Sequence, residues 1–389
     1  MNITIRQDAL LKALQIIHGV VEKKQTRPIL SHALLTATED QLLLTATDSE
    51  IELISAAPLE TMTSPGSITA PARKLYDICR TLPERSLVRI SLDKSRLIVQ
   101  SGPSHFSLGT LAAQDFPTME GKFLTDPELI SFSIPAAAFR RLLSKTSFAM
   151  GQEDVRHYLN GTAFSLSSGK IECMTTDGHR FAFSKMEDAA IPDQSLKVLV
   201  PRKSVLEVLR LLNPEDAAAT ARFCLNGHYL RIMTDDFTFT SKLVHTPLPD
   251  YHRLIPERAA HTVLANRELL RQALTRVSIL AHEKFRNVVL ELSDDQLYLS
   301  TQNPEREEAK EAMPLEYQGP SVDVSFNVLY LSDAISAIDS EYVRWSFSNL
   351  ENGILIESDD GARSCLYVVM PLFLPKVEQA NVAAVEVDV

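Results

Sequence analysis

The chain has 389 residues, of which 45% are hydrophobic and 23% charged, and its formal net charge is −11. That length leaves room for two or three domains of about 100–200 residues with substantial cores, and neither a disordered chain nor a coiled coil fits the composition. The acidic balance excludes a uniformly basic nucleic-acid binder, yet a basic face on an acidic body remains open, so charge has to be located rather than summed.

Cys79, Cys173, Cys224 and Cys365 lie far apart, with no Cys-x-x-Cys pair and no neighbouring histidines, which signals neither a zinc site nor a disulfide framework. Isolated buried thiols in a reducing compartment are expected. Met1–Ile5 alternates as a strand rather than opening a signal peptide, and no apolar run approaches the ~18 residues a membrane span needs. The expectation is a soluble, cytoplasmic protein with no metal, no cofactor and no membrane partner.

Taken in order, the chain repeats itself at a period of about 130 residues, the signature of tandem structural units. Alternating segments at Asn2–Ile5, Ser131–Ile134 and His261–Leu264 are each followed by a large apolar residue, Leu10, Phe139 or Leu269, that opens a helical pattern. Paired strand-like runs come next: Ala33–Ala37 with Gln41–Ala46, Gly161–Leu166 with Lys170–Met174, and Asn287–Leu292 with Gln296–Thr301. A second helix then opens at Pro71, Pro201 or Phe326-Asn327; proline fits a helix start because its missing N–H would be unpaired there anyway. Its apolar stripe is Leu75, Ile78, Cys79 and Leu82 in the first copy, Val205, Val208, Leu209 and Leu212 in the second, and Leu331, Ala334, Ile335 and Ile338 in the third. Further alternating segments end each copy near Phe106–Leu111, Phe237–Val244 and Leu366–Met370. The fold class is α+β: three repeated domains, at 1–125, 126–256 and 257–374, each with two helices packed on antiparallel sheet.

The second run of each pair ends in a polar turn: Thr47-Asp48-Ser49, Thr176-Asp177-Gly178 or Gln302-Asn303-Pro304. The middle copy continues into His179-Arg180-Phe181, which by itself looks catalytic. A hydrolase using Asp177 and His179 as an acid–base pair needs a nucleophile or metal within reach, and no Gly-x-Ser-x-Gly, His-Glu-x-x-His or Cys/His spacing supplies one. The same turn recurs with Asp48 and Asn303 and without the histidine, which favours a structural turn.

At ~100° per residue on a helix, Arg73 and Arg80 lie opposite their apolar stripe, as Lys203 and Arg210 do opposite theirs. On the first helices Lys12, Arg141 and Arg271 take equivalent places, so five of six helices carry a cation on the solvent side, and the sixth carries Asp333. A solvated face explains one such helix. Recurrence without interleaved aromatics suits phosphate contact that is independent of base sequence and sensitive to salt; a repeat scaffold unrelated to DNA would show no such salt dependence.

Ordered motifs along nearly the whole chain resemble the bacterial β sliding clamp family, the β subunits of DNA polymerase III. They are Thr45-Ala46-Thr47-Asp48-Ser49-Glu50, Ala70-Pro71-Ala72-Arg73-Lys74, Asp154-Val155-Arg156-His157-Tyr158-Leu159-Asn160-Gly161, Thr176-Asp177-Gly178-His179-Arg180, Phe239-Thr240-Ser241-Lys242-Leu243, Pro249-Asp250-Tyr251, Glu283-Lys284-Phe285-Arg286, Phe326-Asn327 and Tyr367-Val368-Val369-Met370-Pro371. The resemblance implies a ring-forming homodimer, two chains of three clamp domains head to tail, with twelve helices around duplex DNA. It implies no enzymatic activity of its own, but processivity for the replicative polymerase catalytic subunit. No Gly-x-x-x-x-Gly-Lys loop is present, so loading would fall to a separate ATP-driven clamp loader.

The resemblance also implies sites. Polymerases, loader and repair proteins would insert short linear motifs rich in Gln and Leu/Phe into a cleft. Its walls carry over to Leu159, Thr176, Gly178, His179, Arg180, Phe181 and Pro249, then to Arg253, Leu254, Phe285, Asn327 and Tyr330, and finally to Val368, Met370, Pro371 and Leu372. Apolar walls and a pliable methionine accept Leu and Phe, while Arg, His and backbone groups hold polar peptide atoms. Double-stranded DNA would be met by Lys24, Arg73, Arg80, Arg141, Tyr158, Lys203 and Arg210. The dimer interface would join Phe106 and Leu108 to Ile279 and Leu280, with Lys74 and Arg96 facing Glu305, Glu307, Glu308 and Glu311. The chain departs from the family pattern at Pro103, His105, Glu153 and Phe373, and it adds a Pro375–Val389 tail expected to be disordered.

Overall fold

The computed structural model describes residues 1–21, 27–119, 129–216, 218–256, 260–293, 295–317, 319–348, 353–361 and 363–372. Lys24, Phe373, the tail and the junctions at 125/126 and 256/257 lie wholly or partly outside them. The chain falls into two compact units, Met1–Gly178 with Phe183–Asp250, and His179–Ala182 with Tyr251–Val389.

Among the described residues six α-helices recur in pairs: α1 (Gln7–His18) and α2 (Ala72–Thr81), α3 (Ala136–Ser144) and α4 (Arg202–Leu211), α5 (Arg267–Ser278) and α6 (Val328–Ser336). Each first helix follows directly on a strand, Asn2–Arg6, Ile130–Pro135 or His261–Asn266. Pro71, Pro135 and Pro201 stand at the N-caps of their helices, where a lost N–H removes no hydrogen bond. The third copy replaces proline with Asn266 and Asn327, whose side chains accept from backbone N–H groups of the first turn.

In the first unit, the two expected strand pairs of the first two copies are antiparallel hairpins: His32–Ala37 pairs with Gln41–Thr47, and Gly161–Ser167 pairs with Lys170–Thr176 and also with Leu196–Pro201. The two copies are joined through backbone. Strand Phe237–Lys242 of the second pairs with Ile51–Ser64 of the first, Phe239 opposite Leu53, within one twelve-stranded sheet. Phe132, Phe139 and Phe223 form a stacked and edge-on aromatic cluster beneath α3, and Leu10, Leu75 and Val205 are fully buried beneath their helices. Truncating such a side chain costs about 3–5 kcal/mol for Phe.

In the second unit, Glu308–Pro314, Gln296–Gln302, Asn287–Ser293 and Val322–Asn327 form a four-stranded sheet. His261–Asn266 pairs with Tyr342–Phe347, which continues through Ile354–Ser358 to Cys365–Val369.

One expected register is corrected. Leu269 is 49% exposed, whereas Leu270 is fully buried and holds the fourth helical position that Leu10 and Phe139 hold in α1 and α3. Neighbours on a helix are ~100° apart, so adjacent leucines cannot both face one core. The third copy is therefore shifted by one residue, Gln272 rather than Arg271 matches Lys12 and Arg141, and Arg271 is paired locally with Glu268 at 2.7 Å.

Cys79, Cys173 and Cys224 are buried free thiols, and Cys365 is partly exposed. Among the described residues no helix is long and apolar enough to cross a membrane, and no group of three or more His, Cys, Asp or Glu is gathered for a metal ion.

Candidate functional site

In the first unit, the middle turn is built around Gly178. It takes φ of +91°, its N–H donates to Thr176 Oγ1 at 3.0 Å, and a Cβ there would lie 3.0 Å from Arg156 Nη2. Arg156 is itself held by Asp154 through bonds of 3.0 and 2.9 Å. A side chain at Gly178 would meet both the strained backbone and this guanidinium. Leu159 and Thr176 are buried, Leu159 accepting the Gly151 N–H at 2.8 Å, and Pro249 is exposed.

The second unit holds the rest of the expected cleft wall. The Met370 N–H donates to the His179 carbonyl at 2.9 Å, and the His179 ring lies nearly parallel to Tyr330 with centroids 6.4 Å apart. Arg180 donates to Asp333 at 2.6 Å while its guanidinium carbon sits 4.4 Å from the Tyr330 ring centre. Such a contact over an aromatic face contributes about 0.5–1 kcal/mol at exposed sites and more when desolvated. Phe181 is buried and stacks on buried Tyr251 at 6.4 Å. Leu372 closes the stretch by donating its N–H to Ser325 at 2.7 Å.

The expected apolar wall divides in two. Phe181, Val368 and Pro371 are buried and form its backing, whereas Leu254, Phe285 and Met370 expose 45%, 43% and 36% of their surfaces. Arg253 is exposed beside Leu254 on the Tyr251–Leu254 turn. Phe285 packs its ring 4.9 Å from His282, under Lys284 Nζ at 5.4 Å. Asn327 is occupied as the cap of α6, accepting from Leu329 N–H at 3.0 Å. Asp333, Tyr251, Ser325 and the exposed Leu329 were absent from the expected wall. Asp333 had a signal, being the acid where other helices carry a cation.

The helix cations are more engaged than a helical wheel suggests. Arg73 donates to the Val21 carbonyl at 2.5 Å, and Lys203 lies 2.5 Å from the buried carboxylate of Asp48. Arg210 pairs with Glu207 at 2.6 Å and donates to the Ile16 carbonyl at 2.6 Å, near the C-terminal end of α1 where a cation is favoured. Arg80 pairs with Asp77 at 3.3 Å but remains exposed, as does Arg141, and Tyr158 is partly buried. Arg210, Lys203 and Leu206 line a 290 Å³ hollow with Gly19, Val20 and Ile51. Glu153 is exposed with φ of +54°.

Of the expected interface residues, Lys74 and Arg96 are exposed, Arg96 donating to Ser107 Oγ at 2.5 Å, while Phe106 is partly buried and Leu108 is 9% exposed. Pro103 and His105 are exposed beside them. In the second unit Ile279 is 76% exposed just past α5, with Leu280 partly buried. Glu305, Glu307 and Glu308 are exposed, Glu308 pairing with Lys310 at 3.1 Å, and Glu311 is held by Arg276 at 2.6 Å, which lowers its carboxyl pKa.

Comparison with known proteins covers the chain in three consecutive parts. Models of the DNA polymerase III beta subunit match with the N-terminal domain over residues 1–120, the central domain over 133–250 and the C-terminal domain over 252–373. The beta sliding clamp of Pseudomonas aeruginosa is 44% identical over 375 residues, which is 96% of this chain and 100% of the relative. A crystal structure of DNA polymerase III subunit beta from that organism superposes with a TM-score of 0.91 at 42% identity, with 96% and 100% coverage. Another, of the clamp bound to griselimycin, gives 0.90 at 43% with the same coverage. Three ordered domain matches and 44% identity along a whole relative show that this chain belongs to the DNA polymerase III beta subunit family.

Proposed function

We propose that the chain is a DNA sliding clamp. Two copies close head to tail around duplex DNA, hold it without regard to sequence, and tether the replicative polymerase catalytic subunit. The observation that carries this reading is the threefold repeat of paired helices, in a chain that matches a sliding clamp over 96% of its length. Boundaries at 125/126 and 256/257 fit the repeat, with 375–389 as an appended tail.

The reading gives the protein no catalytic role and a cytoplasmic place of work. Arg80 and Arg141, exposed on α2 and α3, are the clearest DNA contacts, with Lys24, Arg73, Tyr158, Lys203 and Arg210 as further ones. Ile279 and Leu280 would meet Phe106 and Leu108 of a second copy, with Lys74 and Arg96 opposite Glu305, Glu307 and Glu308.

The cleft would receive short linear motifs of the polymerase, clamp loader, other polymerases and repair proteins. Exposed Met370, bonded to His179, and exposed Leu254 and Phe285 in the same unit offer apolar contacts, with Arg180 and His179 as polar anchors, and a relative on this fold has been crystallised with griselimycin. A hydrolase built on Asp177 and His179 draws less support, since the His179 ring lies against Tyr330. Sedimentation at micromolar concentration tests the ring: a dimer of the 43.3 kDa chain is expected, and a monomer would overturn it.

A further inference from the structure

We infer that the Pro375–Val389 segment is a tethered competitor for the peptide cleft, which partner motifs must displace; this rests on the cleft reading above. The family match ends at residue 373, and the P. aeruginosa relative is covered completely, so the segment is added to a fold that its relatives complete without it.

The fold delivers this segment at the cleft. Met370 is bonded to the His179 carbonyl at 2.9 Å and Leu372 to the Ser325 carbonyl at 2.7 Å, so the chain leaves the described structure from the wall itself. Strand Val322–Asn327, which receives Leu372, leads into α6, whose Val328 N–H donates to the Arg286 carbonyl at 2.8 Å, so exposed Phe285 and Leu329 are chain neighbours of that bond; Met370 and Leu254 are exposed in the same unit, as are Arg253, Lys284 and Arg286.

The segment's composition complements that surface. Glu378, Glu386 and Asp388 outnumber its one cation, Lys376, and Val385-Glu386-Val387-Asp388-Val389 alternates apolar with acidic residues. In an extended peptide such alternation sets valines on one side and carboxylates on the other. At roughly 3.3 Å per residue the segment can span on the order of 50 Å, ample to fold back. It lacks the Leu and Phe side chains of partner motifs, so its own affinity is weak. A short tether raises its effective concentration to the order of millimolar, enough for a weak occupant to compete.

The test compares the full chain with one ending at Leu374, titrating each into a fluorescein-labelled short peptide containing Gln, Leu and Phe. The truncated chain is expected to bind roughly 3–10-fold tighter. Full-length protein carrying Val385→Asp and Val387→Asp should move toward the truncated value, and synthetic Pro375–Val389 peptide should displace the probe from the truncated chain at millimolar concentration. Equal affinity of both forms overturns the inference alone. A ratio that grows with protein concentration assigns the segment to the cleft of a second copy and overturns the tethered arrangement. A probe that binds neither form overturns the cleft reading and this inference with it.

Discussion

Arg180 donates to Asp333 at 2.6 Å, joining the residue after the Gly178-His179 turn to the outer face of α6. The Arg180 side chain is 12% exposed and that of Asp333 44%. A half-solvated ion pair contributes little to stability, about 0–1 kcal/mol, so its consequence is geometric: it fixes the guanidinium over Tyr330. Asp333→Ala is expected to shift the melting temperature by no more than about 2–4 °C and to weaken a Gln/Leu/Phe peptide roughly 3–10-fold. Unchanged peptide affinity in an anisotropy titration would remove Arg180 from the cleft.

Met370 presents a pliable thioether at the surface while its backbone is pinned to His179. Met370→Asp places a charge where an apolar peptide side chain would seat, and desolvating that charge costs several kcal/mol. Peptide binding should fall by about 100-fold or more while sedimentation of the dimer is unaltered. A dimer that dissociates with peptide affinity intact would exchange the two surfaces.

Arg80 and Arg73 share helix α2 but not a role. Arg80 is exposed, so Arg80→Ala should leave stability unchanged and reduce the slope of log affinity for duplex DNA against log salt by about 0.9, one phosphate contact. Arg73 also donates to Val21, so Arg73→Ala should lower unfolding stability by about 1 kcal/mol besides any effect on DNA. Equal melting curves for the two variants would show that the Val21 bond contributes nothing.

The first copy carries a pH dependence. Burial, and then the positive charge of Arg73, pushes the His18 pKa down, and burial followed by Lys74 does the same at His32. A depressed histidine pKa means that the unfolded chain takes up the proton first. Its contribution is fully present above the unfolded value and is lost as pH falls below about 6.5 toward the lowered folded pKa. Melting temperature should therefore drop between pH 7.5 and 5.5, and His18→Gln with His32→Gln should lessen the drop. An unaltered pH profile would assign the loss elsewhere.

Much of this was legible in the sequence because periodicity reports burial. Leu75, Cys79, Val205, Val208, Leu331 and Ile335 all sit where their spacing put them, against the core. The third copy slipped because Val263-Leu264-Ala265 contains two large adjacent apolar residues, and the core positions are Val263 and the small Ala265. Hydropathy weights Leu264 above Ala265, so the alternation misled by one residue and carried Leu269 with it.

The helix cations show the other limit. A helical wheel assigns Arg73, Lys203 and Arg210 to the outside but cannot give partners distant in sequence, such as Val21, Asp48 and Ile16. The Arg180–Asp333 bond belongs to the same class, since nothing local to either residue names the other. The family resemblance supplied the expected cleft wall, whose residues divide in the structure into buried Phe181, Val368 and Pro371 and exposed Leu254, Phe285 and Met370.

The most direct test of the account is retention on DNA of different topology. Protein assembled by a clamp loader on nicked circular duplex should stay bound through gel filtration at high salt and be released when the circle is cut once. Equal loss from circular and linear DNA would contradict an encircling ring.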